Sequence, residues 1–204
     1  MLLLCALPIQ AQSTANDANK EAVMTLASTT GWSEFDAQGR IVAQFGSPVI
    51  DGKVDPVWNK APLFHARHKS GATGASAAFR VMWDDRALYV LAKVKDSRLS
   101  VESGTPYMQD SLEIFLDENN NKSREYGADD LQARVNIENV VSMDKGDASR
   151  IYTAVSKTED GYIVEARVAL KRKPGNGTVM GIELQINDAV EAERDGTLNV
   201  FDAT

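Results

Sequence analysis

The chain has 204 residues, a formal net charge of −7, 43% hydrophobic residues and 25% charged residues. That is enough apolar material to fill one core with appendages, which excludes global disorder, and the absence of any basic run disfavours nucleic acid as a partner. The only long apolar run, Leu2 to Ile9, is far short of the ~20 residues a helix needs to cross a bilayer, so no membrane span is expected.

Residues 1–11 read as an export signal. They have an apolar centre and then Ile9-Gln10-Ala11 as a cleavage site, but no positively charged leader, so the signal itself looks truncated. The reading implies secretion to the periplasm or the exterior of a bacterium. A buried N-terminal strand and lipid attachment at Cys5 are the alternatives. Cys5 is the only cysteine, so a mature chain without it has no disulfide, no cysteine metal site and no cysteine nucleophile. Residues 12–41 form a linker and N-terminal extension. Within it, Lys20 to Thr29 is expected to form a short helix with Ala22, Val23 and Leu26 on one side, although no cap or stop signal flanks it. Trp32 and Phe35 are placed to pack this segment on the domain that follows.

Residues 42–204 read as strands. Ala78–Trp83, the turn Asp84-Asp85-Arg86 and Ala87–Val94 predict a hairpin. Ser111–Leu116 is a strand ended by Asn119-Asn120-Asn121. Leu131 to Ile137 alternates strictly, with Gln132, Arg134 and Asn136 on its polar face. Ile151–Val155 and Tyr162–Leu170 predict a second hairpin around Glu159-Asp160-Gly161. Val179 to Asn187 alternates again, with Glu183, Gln185 and Asn187 on the polar side, and Gly196 to Phe201 starts a last strand. Closely spaced strands with little helix between them predict an all-β, antiparallel β-sandwich of jelly-roll type.

The two polar faces repeat planar, multi-donor groups at a period of two. Such groups suit the paired hydroxyls of a sugar. A plainly solvated sheet face is the alternative.

Several long stretches point further: GSPVIDGKVDPVWNKA (Gly46–Ala61), GATGASAAFRVMWDDRALYVLAKVKD (Gly71–Asp96), TPYMQDSLEIFLDENNNKS (Thr105–Ser123), DDLQARVN (Asp129–Asn136), DGYIVEARVAL (Asp160–Leu170) and GIELQINDA (Gly181–Ala189). Over roughly four-fifths of its length the chain resembles, by these motifs in this order, the family 9 carbohydrate-binding modules attached to bacterial xylanases. The resemblance implies a β-sandwich and a binding role rather than chemistry. Family members hold the reducing ends of xylan- or cellulose-type chains between two aromatic rings. Carried over by position, it implies Tyr107 as a stacking ring where the family has Trp, Glu113 as a hydroxyl acceptor, and Arg134 and Asn136 as rim donors. The second family Trp aligns with Val200; a one-residue slip makes Phe201 the second ring. Trp58 and Trp83 lie inside framework motifs and are expected in the core. Family members continue past Thr204 into a final strand, so the module is expected to lack its last strand. The resemblance also implies a cell-wall polysaccharide or oligosaccharide as ligand, a glycoside hydrolase as associated domain, and a monomeric module.

No cofactor is required for binding. Structural calcium is allowed by the resemblance, without assigned ligands. Asp117–Asn121 opens like a calcium loop, but Lys122 and Ala128 stand where an EF-hand needs Gly and Glu, so a hairpin turn is expected. His65 and His68 have no methionine at a haem-diagnostic spacing. Glycoside hydrolysis needs two carboxyls about 5–5.5 Å or about 6.5–9.5 Å apart. The adjacent pairs Asp84-Asp85 and Asp129-Asp130 send their side chains to opposite sides, so no catalysis by this chain alone is expected. A sandwich that binds no sugar, or an accessory part of a xylanase, are the rival readings.

Overall fold

The computed structural model describes residues 23–27 and 34–201. Thirteen strands follow in chain order: β1 (Val23–Ala27), β2 (Ile41–Phe45), β3 (Phe64–His65), β4 (His68–Gly71), β5 (Ser76–Trp83), β6 (Ala87–Lys95), β7 (Ser111–Asp117), β8 (Leu131–Asn136), β9 (Val141–Lys145), β10 (Ile151–Thr158), β11 (Gly161–Ala169), β12 (Val179–Val190) and β13 (Glu193–Asn199). They hydrogen-bond in the order β10-β11-β6-β5-β2-β1-β12-β7-β8-β9, with β3 on β5, and β13 paired to both β12 and β4. The continuous sheet folds over itself as a sandwich. Leu112 and Ile114 of β7, Ala133 and Val135 of β8, and Leu184 of β12 meet Val90 and Ala92 of β6 and Val164 and Ala166 of β11 in one core. Alternation along each strand puts these residues inside and their neighbours outside.

Both predicted hairpins form, as β5–β6 and β10–β11. Two expectations are corrected. The sheet is mixed, because β2 runs parallel to both β1 and β5. In addition, Val23–Ala27 within the expected helix is a strand, pairing antiparallel with β12 and parallel with β2. Two open strand edges offer that segment a complete backbone ladder, and its β-branched Val23 and Thr25 suit a pleat. Met24 is fully buried there. Phe35 packs edge-on to Phe64 and Phe201, while Trp32 and residues 1–22 lie outside the described residues.

The two outer faces of the sandwich differ. Residues 46–61 cross the outer face of β5, β6 and β11 as a strap. Ile50, Trp58 and Ala61 pack there on Met82, Tyr89 and Leu91 in a second apolar cluster. Beneath the strap the Glu165 carboxylate is 0% exposed and accepts from Gly52 N (2.9 Å), Asp51 N (3.2 Å) and Trp58 Nε1 (2.8 Å). Gly52 sits at φ +82°, where a side chain is strained. Asp55 Oδ2 accepts from Val49 N at 2.7 Å. The Ile-Asp-Gly-x-x-Asp-x-x-Trp stretch is therefore a device for pinning a strap, and Trp58 and Trp83 are core rings as expected.

Candidate functional site

The opposite outer face, on β12, β7 and β8, carries no strap among the described residues. Strand register arranges its side chains in rows. Gln185 lies opposite Glu113, and Glu113 opposite Arg134. On one side of that row run Asn187, Ser111 and Asn136; on the other run Glu183, Phe115 and Gln132. The period-two polar pattern of the sequence is thus a two-dimensional grid.

Its centre is Glu113, 2% exposed in the middle strand. Arg134 reaches it in fork geometry, Nε to Oε2 at 2.9 Å and Nη2 to Oε1 at 2.5 Å. Gln132 Nε2 donates to Oε1 at 2.8 Å and Asn187 Nδ2 to Oε2 at 3.1 Å. Arg134 also donates to Asp144 Oδ2 (2.7 Å) and Ser142 Oγ (3.4 Å). Burial pulls the guanidinium pKa down, but the hydrogen bonds and charges of Glu113 and Asp144 outweigh it, so the net direction is up. Asn136 donates to Gln109 Oε1 at 2.7 Å and its Oδ1 accepts from Glu138 N and Val140 N. Gln185 Nε2 donates to Asn187 Oδ1 (2.9 Å), and its Oε1 accepts from Asn199 Nδ2 (3.0 Å). Glu113 and Arg134 therefore hold each other, and the floor is a preorganised polar network rather than a set of dangling donors.

Tyr107 stands beside this floor on the short 3₁₀ turn Pro106–Met108, next to β8, β12 and β13. Its side chain is 44% exposed, an available ring rather than an interior plug. The guanidinium of Arg194, on β13, lies 5.4 Å from the ring centroid. Phe201 is placed differently. It is 3% exposed, packed edge-on to Phe35, and its backbone N–H and that of Val200 donate to the Glu183 carboxylate at 3.0 and 2.9 Å. Its ring packs mainly in the core and also lines a groove of this face, so the structure brings Tyr107, Glu113, Arg134 and Asn136 to one face with Phe201 largely buried beside it. Glu183, read in the sequence with the sugar-facing polar groups, instead holds the end of β13.

Away from Tyr107, the floor continues as a groove of about 670 Å³ past Gln185, Asn199, Phe115 and Tyr126 to His68 and Ser70. An adjoining cavity of about 430 Å³ lies between Tyr126, Asp117, Asp130 and Gly181. Tyr126 donates its hydroxyl to Gln132 Oε1 at 2.9 Å. Tyr126, Gln109, Asp144 and Arg194 were not singled out from the sequence. Each lies in a turn, a loop or a strand end, where no periodicity marks it.

Among the described residues, two groups of acidic side chains have the chemistry to hold a metal ion: Asp96, Asp110 and Asp188, and Asp117, Asp129 and Asp130. In the first, burial and then the charges of Asp96 and Asp188 push the Asp110 carboxyl up to about 7, against the hydrogen bonds from Ser100 N and Ala189 N. Among the described residues, Asp96 Oδ2 and the buried Tyr162 hydroxyl have no hydrogen-bond partner. In the second, Asp129 Oδ2, Asp130 Oδ1 and Asn120 Oδ1 are buried without partners among the described residues. Convergent carboxylates with orphaned oxygens fit a hard, oxygen-liganded dication such as calcium. Asp117–Asn121 itself is a turn, with Asp117 accepting from Asn121 N and Lys122 N. Asp84 caps the β5–β6 turn, accepting from Arg86 N, Ala87 N and the Tyr89 hydroxyl. His65 and His68 are both exposed on β3 and β4.

Residues 50–204 match the family described as carbohydrate family 9 binding domain-like. The chain is similar to a carbohydrate binding module of family 9 from Caldicellulosiruptor kristjanssonii solved in complex with cellotriose. That match has 51% identity, a TM-score of 0.78, and covers 79% of this chain and 84% of that one. A second structure from that source, in complex with glucose, matches at 51% identity and a TM-score of 0.77, covering 79% of this chain and 85% of that one. Among curated proteins, endo-1,4-beta-xylanase A of Thermotoga neapolitana is 44% identical over 186 residues, 86% of this chain and 17% of that protein. Exoglucanase XynX of Acetivibrio thermocellus is 45% identical over 152 residues, 73% of this chain and 14% of that protein. The chain thus spans less than a fifth of the length of the curated relatives it matches.

Proposed function

Because this chain belongs to the carbohydrate family 9 binding domain-like family, a family of binding domains, we propose that its open sheet face binds the sugar units of cellulose- or xylan-type chains without chemistry. The observation that carries the reading is the exposed Tyr107 ring standing beside a fixed polar floor. A pyranose lays its C–H face on an aromatic ring while its equatorial hydroxyls meet groups at the rim. Covering roughly 100 Å² of ring at about 25 cal/mol per Å² gives on the order of 2–3 kcal/mol. Polar contacts add less, since each replaces a contact with water. A single free ring then gives a Kd in the range of roughly millimolar to micromolar.

The glucose and cellotriose held by the similar modules support a β-linked glucan as first ligand to test. The xylanase relatives support a role in bringing a glycoside hydrolase, as part of a longer polypeptide or an assembly, onto cell-wall polysaccharide. In this proposal the protein works outside the cytoplasm, as a monomeric module. The apolar run Leu2–Ile9, outside the described residues, supports export.

The test is calorimetric titration with glucose, xylose, cellobiose and xylobiose, and with the corresponding alditols. Binding by the sugars that vanishes on reduction is the expected result. Tyr107→Ala should weaken it at least about tenfold, in line with loss of the ring contact. Undiminished affinity in that variant overturns the reading. One observation favours the rival, a sandwich that binds no sugar: Glu113 and Arg134 are already satisfied by each other. Absence of binding by every sugar decides for the rival.

Calcium is proposed as a structural ion at Asp96, Asp110 and Asp188. The dication would supply charge neutralisation there, and Asp110 would keep accepting from Ser100 N and Ala189 N while Asp96 and Asp188 join it at the ion. A melting temperature that falls on adding chelator and returns on adding calcium is expected. No change on either addition excludes a tightly bound ion.

A further inference from the structure

We infer that the β4 end of the open face, where Arg67 and His68 flank Asn199, is a site for the carboxylate of a uronic acid carried as a side group on the bound sugar chain. The inference rests on the sugar-binding reading above and names the class of polysaccharide that such a site selects.

Strand register carries the central row of the floor well beyond Glu113. Gln185 lies opposite Asn199 on β13, and Asn199 lies opposite His68 on β4. Directly opposed residues of antiparallel strands share a face, so Arg134, Glu113, Gln185, Asn199 and His68 form one line across five strands. Four strand spacings of about 4.8 Å make that line roughly 19 Å long, so one pyranose covers only part of it. The groove of about 670 Å³ follows its far end, past Asn199 to His68. Asn199 Nδ2 donates one N–H to Gln185 Oε1 and keeps the other.

The chemistry changes along this line. At Glu113 the floor is a carboxylate closed by its own donors, whereas the β4 end is cationic. Arg67 and His68 are both exposed. The Arg67 backbone N–H donates to Asn199 O at 2.8 Å, and its guanidinium lies over the Phe35 ring at 3.9 Å from the centroid. Phe35 in turn packs edge-on to Phe201, a wall of the same groove. Stacking occupies one face of the guanidinium and leaves the N–H groups at its rim, the fork that matches a carboxylate. Among the described residues no carboxylate lies within ion-pair distance of Arg67 or His68, and neither side chain has a hydrogen-bond partner. The imidazole offers an N–H donor in either charge state. Lys69 alternates to the other side of β4 and donates to Ala75 O at 3.1 Å. Glu183, the acidic side chain that lines this groove, is 5% exposed and accepts from the backbone of Leu184, Val200 and Phe201. A chain of net charge −7 does not draw anions by its overall field. Free donors of a guanidinium and an imidazole at the end of a sugar floor are therefore a local feature, and a sugar carboxylate is the acceptor that fits both.

The experiment titrates xylotriose, and xylotriose bearing a glucuronic acid side group, into the wild type and four variants. These are Arg67→Lys, His68→Ala, the double variant Arg67→Ala/His68→Ala, and Lys53→Ala as a control that removes an exposed cation from the strap. Each protein is also melted. At low ionic strength the wild type should bind the acidic ligand about three- to tenfold more tightly than the neutral one. Salt should remove most of that preference, since exposed charges are screened over about 10 Å at 0.1 M. The double variant should bind both ligands alike, with its affinity for xylotriose unchanged. Arg67→Lys should keep part of the preference, because it retains the charge and loses the planar fork. His68→Ala removes an exposed side chain without partners, so it should lose part of the preference at an unchanged melting temperature. That variant decides the matter if taking Arg67 off Phe35 lowers stability. Lys53→Ala should keep the full preference; an equal loss there means that net charge alone is at work and overturns the inference. Equal binding of the two ligands by the wild type, or a preference that survives the double variant, also overturns it and leaves the sugar-binding reading standing. If the wild type binds neither ligand, the sugar-binding reading fails and this inference falls with it.

Discussion

The two outer faces of the sandwich solve one problem in opposite ways. Each has a buried glutamate on a strand flanked on both sides, Glu165 on β11 and Glu113 on β7. Glu165 accepts from the backbone and the indole of a strap that closes over it. Glu113 accepts from side chains of its own sheet, and among the described residues no strap crosses above it. Backbone donors fix chain to chain, so the first arrangement builds a second core. Side-chain donors fix only each other, so the second leaves a face that is rigid and still open. The most recognisable motif of the sequence serves the closed face. The face left for a ligand is held by residues scattered over β7, β8, β9 and β12.

Removing the strap's anchor is the strongest way to break this comparison. Trp58→Ala deletes a fully buried ring and orphans one donor to Glu165, at a cost of about 3–5 kcal/mol. Denaturant unfolding measures it. If the two faces are independent, the folded fraction of that variant binds sugar with wild-type affinity. A change in affinity larger than twofold means the strap face reaches the open one.

Glu113→Ala comes next. It leaves the buried Arg134 with Asp144 as its one ionic partner, and removal of one member of a buried pair costs roughly 2–4 kcal/mol here, reduced by the Asp144 contact. Unlike Trp58→Ala it should also abolish binding, because the floor loses its centre. Retained binding in a destabilised Glu113→Ala protein would make the grid purely structural. Gly52→Ala tests the strap by conformation alone. The positive φ penalises any side chain by about 1–2 kcal/mol, and a chemical melt should register that while titrations stay unchanged.

Local pattern reveals what local physics decides. Leu131 to Asn136 alternates because one side is core and the other floor, and β8 follows the alternation residue for residue. Glu113, Arg134 and Asn136 come to one face because strand register carries sequence spacing into space, and Tyr107 joins them from the short turn just before β7. Glu165 was invisible for the opposite reason. It sits in an unremarkable strand, and its partner Gly52 is 113 residues away. Val23–Ala27 looked helical because the two strands that capture it lie elsewhere in the chain. Phe201 looked available because a strand end carries no mark of what packs on it. Its burial depends on Phe35 and on Glu183 gripping its backbone, contacts that only the fold creates.

The smallest expected effect is the most discriminating for the open face. Asp144 lies on the edge strand β9, 45% exposed, yet accepts from both Arg134 and Gln132. An exposed ion pair contributes about 0.2–1 kcal/mol, so Asp144→Ala should barely move the unfolding midpoint. Its effect on binding separates two kinds of floor. If Glu113 alone orients Arg134, the guanidinium keeps its fork and cellobiose affinity holds within about twofold. If Asp144 shares that task, the loss frees an Arg134 N–H toward the ligand and affinity rises while salt sensitivity grows. Titration of the variant at low and high ionic strength distinguishes them. The geometry favours the first, because two of the four bonds Arg134 makes go to Glu113, within the buried part of the grid.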